Sequence, residues 1–286
     1  MRILLLTSFA MIAFAANSIL NRVGVASGAI SAEGFAIVRL GAGVLCLAAL
    51  VQIQGATWRQ PIGRWALGGL SLTIYMLGFS LAYRSLDAGI GALILFGTVQ
   101  FTMFGWSILR GAAVSRLQII GSGVALAGLG LVLWPGESIA LPVSGVLLMG
   151  LAGLGWGAYS LVGKGAGSPL GATAGNFCLS WVLTGIALFV FSPQAVSLQT
   201  AQSSGILLAI LSGAVTSGMG YAVWYAVLPA LSGPFAATVQ LSVPVLALLA
   251  GVVGLGEVVS LRALLGAALV LGGIAVVLRG GKTQAK

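Results

Sequence analysis

Histidine is absent from this chain of 286 residues, only four residues are acidic, and charged side chains of every kind make up 6%. A soluble domain carries roughly 25% charged residues, and a chain of this length cannot cover a water-exposed surface with so few. The shortage excludes a soluble enzyme, a secreted module and a disordered scaffold. It also removes most chemistry that works inside a membrane, which needs paired acids, a metal cluster or a serine with a base. The sequence has no H-E-x-x-H motif, no paired acids within an apolar run, and a lysine for a Ser-Lys pair only at Lys164, in a break between runs. An enzyme is therefore not expected, nor is a cofactor or metal. Cys46 and Cys178 both fall inside apolar runs and read as packing residues rather than as a disulfide framework.

What is present is apolar: 59% hydrophobic residues and a mean hydropathy of +1.13. A spanning helix takes about 20 residues and a short connection perhaps 5 to 8, so the chain holds about ten helices and no soluble domain. The apolar runs are continuous and do not alternate, which excludes a β-barrel. The spans are expected at roughly 3–21, 32–52, 63–83, 88–109, 116–134, 142–163, 169–191, 204–228, 233–254 and 261–279. Charge, proline and small polar residues collect between them. Arg2 before an apolar run also fits a signal peptide, but the run ends in Asn21-Arg22 without an A-x-A-like site, so it is read as the first helix.

Orientation follows the excess of Lys and Arg in cytoplasmic loops. With the N-terminus inside, Arg2, Arg59, Arg64, Arg110, Arg116, Lys164, Arg279, Lys282 and Lys286 fall inside, and only Arg22, Arg84 and Arg262 outside. Both termini are then cytoplasmic, and Glu33, Asp87, Glu137 and Glu257 all lie on the outer side. The net charge of +9 is explained by this topology and by contact with anionic lipid. No basic run tracks a phosphate backbone, so lipids are expected as partners and nucleic acid is not.

The chain also repeats itself. The segment from Phe14 (F-A-A-N-S-I-L-N-R) matches the one from Trp156 (W-G-A-Y-S-L-V-G-K) at an offset of 142, pairing Asn17 with Tyr159, Ser18 with Ser160, Arg22 with Lys164 and Phe35 with Phe177. T-V-Q at 98–100 recurs at 238–240, and Ser115, Gly121, Gly128 and Val132 match Ser260, Gly266, Gly273 and Val277. Two halves, 1–135 and 136–286, each with an odd number of spans, enter the membrane in opposite directions. Such inverted repeats build the two exchangeable states of many secondary transporters. An old duplication kept for packing fits the same pattern.

Ten spans in two five-helix halves, with Pro244-Val245 in the ninth, then Gly256-Glu257, and a last helix rich in glycine through Gly266 and Gly273, resemble the EamA-type members of the drug/metabolite transporter superfamily. The first half departs from this pattern: Phe104 and Ala112 stand where proline and glutamate would match. Within the superfamily the chain looks most like the YddG-type exporters of aromatic and other amino acids. The resemblance implies an all-α integral membrane protein of the bacterial inner membrane, working by alternating access on small-molecule substrates. It implies a central cavity lined by spans one to four and six to nine, with spans five and ten as scaffold. Monomer and homodimer both remain open.

Polar and aromatic residues inside the spans are the candidates for the substrate site, since polar groups in hydrocarbon are costly. Arg39 is the one charge well inside a span, about eight residues from its outer end and so roughly 12 Å deep at 1.5 Å per residue. It suits a substrate carboxylate or, alternatively, a structural partner. Asn17 with Tyr159 and Gln100 with Gln240 are repeat-matched pairs, and Asn176 and Thr238 are further polar residues within the spans. These suit either a zwitterion or interhelical hydrogen bonds. Trp156, Trp181, Tyr75, Phe79, Tyr83, Tyr221 and Tyr225 are deep enough to line an apolar cavity, whereas Trp58, Trp65, Trp106 and Trp134 sit at span ends as interfacial anchors. Gly218 and Gly220, with Pro244, are the expected points of bending. With no histidine and all acids near the outer face, facilitated diffusion or exchange is expected rather than proton coupling. Glu257 reads as an N-terminal cap for the tenth helix. The expected function is export of amino acids, aromatic or bulky apolar ones first. Cationic drugs or lipid-linked metabolites are the alternative substrates. A channel would share the polar interior, but nothing resembles a selectivity filter.

Overall fold

The computed structural model describes residues 1–111, 115–133, 141–192, 200–231, 236 and 239–282, and every regular element among them is helical. Ala112, Trp134, Glu137, Thr238 and Lys286 lie outside the described residues. The elements are α1 (Arg2–Ala26), α2 (Ala32–Gln54), α3 (Ile62–Ala82), α4 (Ala88–Leu109), α5 (Arg116–Leu133), α6 (Val143–Gly163), α7 (Pro169–Phe191), α8 (Ser203–Ala230), α9 (Ser242–Leu255) and α10 (Leu261–Lys282). Among the described residues, seven of them (α1 to α4 and α6 to α8) are long and apolar enough to cross a membrane, while α9 and the apolar part of α10 are shorter.

Local chemistry sets several of the boundaries. Ser31 accepts from the Gly34 amide at 3.0 Å to start α2, and Gly55, at φ 60°, ends it. Ser115 and Gln118 form a reciprocal capping box at the start of α5, with Ser115 Oγ accepting from the Gln118 amide at 3.2 Å and Gln118 Oε1 from the Ser115 amide at 2.8 Å. Ser260 accepts from the Ala263 amide at 3.1 Å and does the same work for α10.

The surface is the reverse of a soluble protein's. Leu45, Phe191 and Val253 are 75%, 83% and 86% exposed, while Asn17, Arg39, Gln100, Asn176, Ser217 and Gln240 are buried. Only a hydrocarbon solvent makes that distribution favourable. This is a multi-pass membrane protein.

Packing pairs the helices in a regular way: α2 lies along α7, α1 packs on α8 and α9, α6 packs on α3 and α4, and α5 lies along α10. The last pair meets through glycines. A Cβ on Gly121 would collide with the Gly273 carbonyl, and one on Gly128 would lie 2.7 Å from the Gly266 carbonyl. Small residues of this kind let backbones approach in a membrane. Gly128→Val is expected to overpack this seam and to destabilise the fold by about 1–3 kcal/mol. Gly123→Val, where a side chain meets open space, is expected to melt close to the native protein. Thermal unfolding of both in detergent checks the difference.

Candidate functional site

Arg39 lies seven residues beyond the start of α2, about 10 Å along its axis, and is fully buried. Backbone contact with α8 holds it there. Gly213 packs against the Arg39 carbonyl, and the bare Cα of Gly43 leaves room for the ring of Phe177. The Arg39 Nε donates to Ser217 Oγ at 2.8 Å, and Nη2 donates to the Tyr221 hydroxyl at 2.7 Å and the Tyr75 hydroxyl at 3.2 Å. Its guanidinium carbon stands 5.0 Å from the ring centre of Phe79 and 5.6 Å from that of Tyr75, within cation–π range. Nη1 has no partner. No carboxylate among the described residues pairs with this cation.

The rings around it come from both halves of the chain. Trp156 lies 4.6 Å from Tyr221, 5.0 Å from Tyr75 and 5.1 Å from Phe14, the last nearly edge-on at 81°. Tyr159 stacks between Trp156 and Tyr225 at 5.4 and 4.7 Å. Phe14 and Trp156, matched across the repeat, are thus in direct contact.

The Asn17 amide organises the opposite wall. Its oxygen accepts from Ser212 at 2.8 Å, from Ser217 at 3.2 Å and from Thr216, and its nitrogen donates to the Thr216 carbonyl at 3.2 Å. Those three hydroxyls lie in the segment where α8 widens from α to π geometry, Ser212–Met219, before returning to α over Gly220–Val227. Single π turns inside α-helices occur frequently at functional sites. Asn17, Ser217, Arg39 and Tyr221 form one continuous hydrogen-bonded chain.

The other candidates fall around this core. Gln240 accepts from the Trp156 indole at 2.7 Å and donates to the Ala236 carbonyl at 3.1 Å. Gln100 is buried with neither amide atom partnered, and the Tyr159 hydroxyl is also free, although its carbonyl accepts from Tyr225 at 2.9 Å. Tyr83 is buried 4.7 Å from Phe79 and donates to the Ala88 carbonyl at 3.3 Å. Gly218 lies within the π segment and Gly220 directly after it. Pro244 is buried in the first turn of α9, where its missing amide costs little.

Two expectations need correction. Trp181 does not join the aromatic cluster: it is 44% exposed on the outer side of α7, because the position that matches Arg39 in the repeat faces lipid here. Glu257 does not cap α10, a role that Ser260 fills. It reaches across to the start of α4, where Oε1 accepts from the Ala88 amide at 2.9 Å, with Arg22 Nε 3.6 Å away. Arg22 also pairs with Asp87 at 2.8 Å, and Arg84 pairs with Glu33. These charges close the bundle at one end, beyond Tyr83. At the other end, a recess of about 730 Å³ opens between the first turns of α1 (Ile3, Thr7) and α9 (Ser242, Leu246), and reaches Met11, one turn short of Phe14.

Ser212, Thr216, Ser217 and Trp224 were not singled out in the sequence. The available signal was three hydroxyls four and five residues apart within an otherwise apolar run. Trp224 is fully buried, 5.8 Å from Phe14, with its indole pointing at Ser160.

Residues 143–279 match the model of the EamA-like transporter family. An uncharacterized protein of Pseudomonas aeruginosa is 45% identical over 277 residues, which cover 97% of this chain and 94% of that one. The chain belongs to the EamA-like transporter family. An uncharacterized transporter of Archaeoglobus fulgidus is 25% identical to this EamA-like protein over 225 residues, covering 78% of the one and 79% of the other. A crystal structure with 20% identity, covering 98% of each chain, superposes with a TM-score of 0.74, a likeness of fold. The EamA-like family is a family of transporters within the drug/metabolite transporter superfamily.

Proposed function

We propose that this transporter exports small amphipathic carboxylates across the bacterial inner membrane by alternating access. Amino acids with aromatic or bulky apolar side chains, as in the YddG-type exporters, are the first class to test. The observation that carries the reading is Arg39, fully buried among aromatic rings with Nη1 unpartnered. A carboxylate would complete its hydrogen bonding, and the rings of Tyr75, Trp156 and Tyr221 would take the side chain.

The packing supports two inverted five-helix halves. Exchanging each helix for its counterpart five places on turns the α1–α9 contact into α6–α4, α1–α8 into α6–α3 and α2–α8 into α7–α3, all of which are present. The glycine seam obeys the same exchange, since Gly121 meets Gly273 and Gly128 meets Gly266. The π segment, with Gly218 and Gly220, is the proposed bending point, with Pro244 as a second. The ion pairs of Arg22 and Arg84 form the proposed outer gate, both termini being cytoplasmic. Among the described residues no acid lies beside Arg39 to carry a proton, so exchange or facilitated diffusion is the proposed mode.

In liposomes containing the purified protein, uptake of labelled phenylalanine or tryptophan is expected to be saturable and to accelerate several-fold when the same compound is preloaded. Flux that does not saturate and gains nothing from preloading would indicate a pore, and absence of any uptake would remove amino acids from the substrate range.

A further inference from the structure

The charge balance of the core narrows the substrate further. Arg39 brings one full positive charge into the buried core, where no acid among the described residues pairs with it. The chain has four acids. Asp87 and Glu257 are engaged with Arg22, and Glu33 with Arg84, at the closed end of the bundle. The fourth, Glu137, lies outside the described residues. The described groups around the guanidinium are all neutral: the hydroxyls of Ser217, Tyr75 and Tyr221, and the face of Phe79. They supply dipoles but no compensating charge, and a buried charge left uncompensated is strongly unfavourable.

We infer that the preferred cargo is an aromatic monocarboxylate without an ammonium group, such as an aryl 2-oxo acid, rather than the corresponding amino acid. The inference rests on the reading of Arg39 as the carboxylate receptor. A monoanion brings the occupied site to zero net charge. A zwitterion leaves it at one positive charge and introduces an ammonium group that no acid meets. The buried acceptors without a partner elsewhere in the described core, among them Asn21 Oδ1, Gln100 Oε1 and the Tyr159 hydroxyl, are neutral. A dianion would in turn exceed the single cation available, since Arg22 and Arg84 are committed elsewhere.

The test compares three compounds with one ring on the unmodified protein in liposomes: phenylpyruvate, phenylalanine and phenethylamine, each as a labelled substrate against its own preload. Phenylpyruvate exchange is expected to exceed phenylalanine exchange about tenfold, with none for phenethylamine. Arg39→Gln is expected to abolish the preference for the oxo acid. Phenylalanine exchanged as fast as phenylpyruvate or faster would overturn the inference and leave the carboxylate-carrier reading standing. Exchange of neither acid would overturn both.

Discussion

Substituting methionine for Arg39 is expected to leave the protein at least as stable as the native one and to lower exchange of carboxylates about a hundredfold. The two effects have opposite origins. The guanidinium is a buried charge that no acid among the described residues pairs with, and replacing buried ionic groups with well-packed apolar side chains is often neutral or stabilising by about 1–4 kcal/mol. Methionine is close in length and needs no partner. Nor does the substitution orphan the groups that now contact Arg39. The Tyr221 hydroxyl already donates to Tyr75 at 2.9 Å, and Ser217 already donates to Asn17. A bound carboxylate, by contrast, loses charge-assisted hydrogen bonds that contribute about 1.5–3 kcal/mol each, and about 2.8 kcal/mol is a hundredfold. Melting curves in detergent and counterflow in liposomes read the two effects separately. A marked fall in melting temperature with exchange retained would make Arg39 a structural residue.

The second large effect is expected at Asn17, and it divides by substitution. Asn17→Ala removes four hydrogen bonds, each worth about 0.6 kcal/mol on average in a membrane protein, so a destabilisation of about 2 kcal/mol follows. Exchange should fall with it, because the π segment and the Tyr221 that follows it lose their anchor. Asn17→Asp keeps an oxygen for all three hydroxyls while giving up the bond to the Thr216 carbonyl, and should lose less stability than Asn17→Ala. It also introduces a carboxylate one hydroxyl away from Arg39, through Ser217. That internal counter-ion should suppress carboxylate exchange tenfold or more in a well-folded protein. Equal activity in Asn17→Asp and the native chain, measured by counterflow, would contradict the role given to the net charge.

Much of this arrangement is legible in the amino-acid sequence. Continuous apolar runs and the polar breaks between them locate the helices, because hydrocarbon leaves a backbone no other way to satisfy itself. Arg39 stood out for the same reason. Tyr75, Trp156 and Tyr221 were marked as deep, and they meet. Depth, however, does not give the direction in which a side chain points. Trp181 is as central in its helix as Trp156, yet it faces outward, and only the rotation of α7 decides the difference. Hydrogen-bond partners were equally hidden. Gln100 and Gln240 match in sequence, but Gln240 holds the Trp156 indole while Gln100 holds nothing. Glu257 was read locally, as a cap for the helix it precedes, whereas it caps a helix distant in sequence. Gly218 pointed to bending in this segment, but the π geometry had no signature of its own, since Ser-Gly-Ala-Val-Thr-Ser-Gly-Met contains no proline.

The widened turns of α8 also have a meaning in terms of counting. A π turn takes in one more residue than an α turn, and one residue is about 100° of rotation. Tyr221, Trp224 and Tyr225 therefore point at the core because the chain upstream of them is one residue longer than a uniform helix from Ser203 would require. Their aim depends on the length of the 212–219 segment as much as on its residues. Deleting a single residue there, with every aromatic intact, would swing Tyr221 away from Arg39, Trp224 from Phe14 and Tyr225 from Tyr159 in one movement.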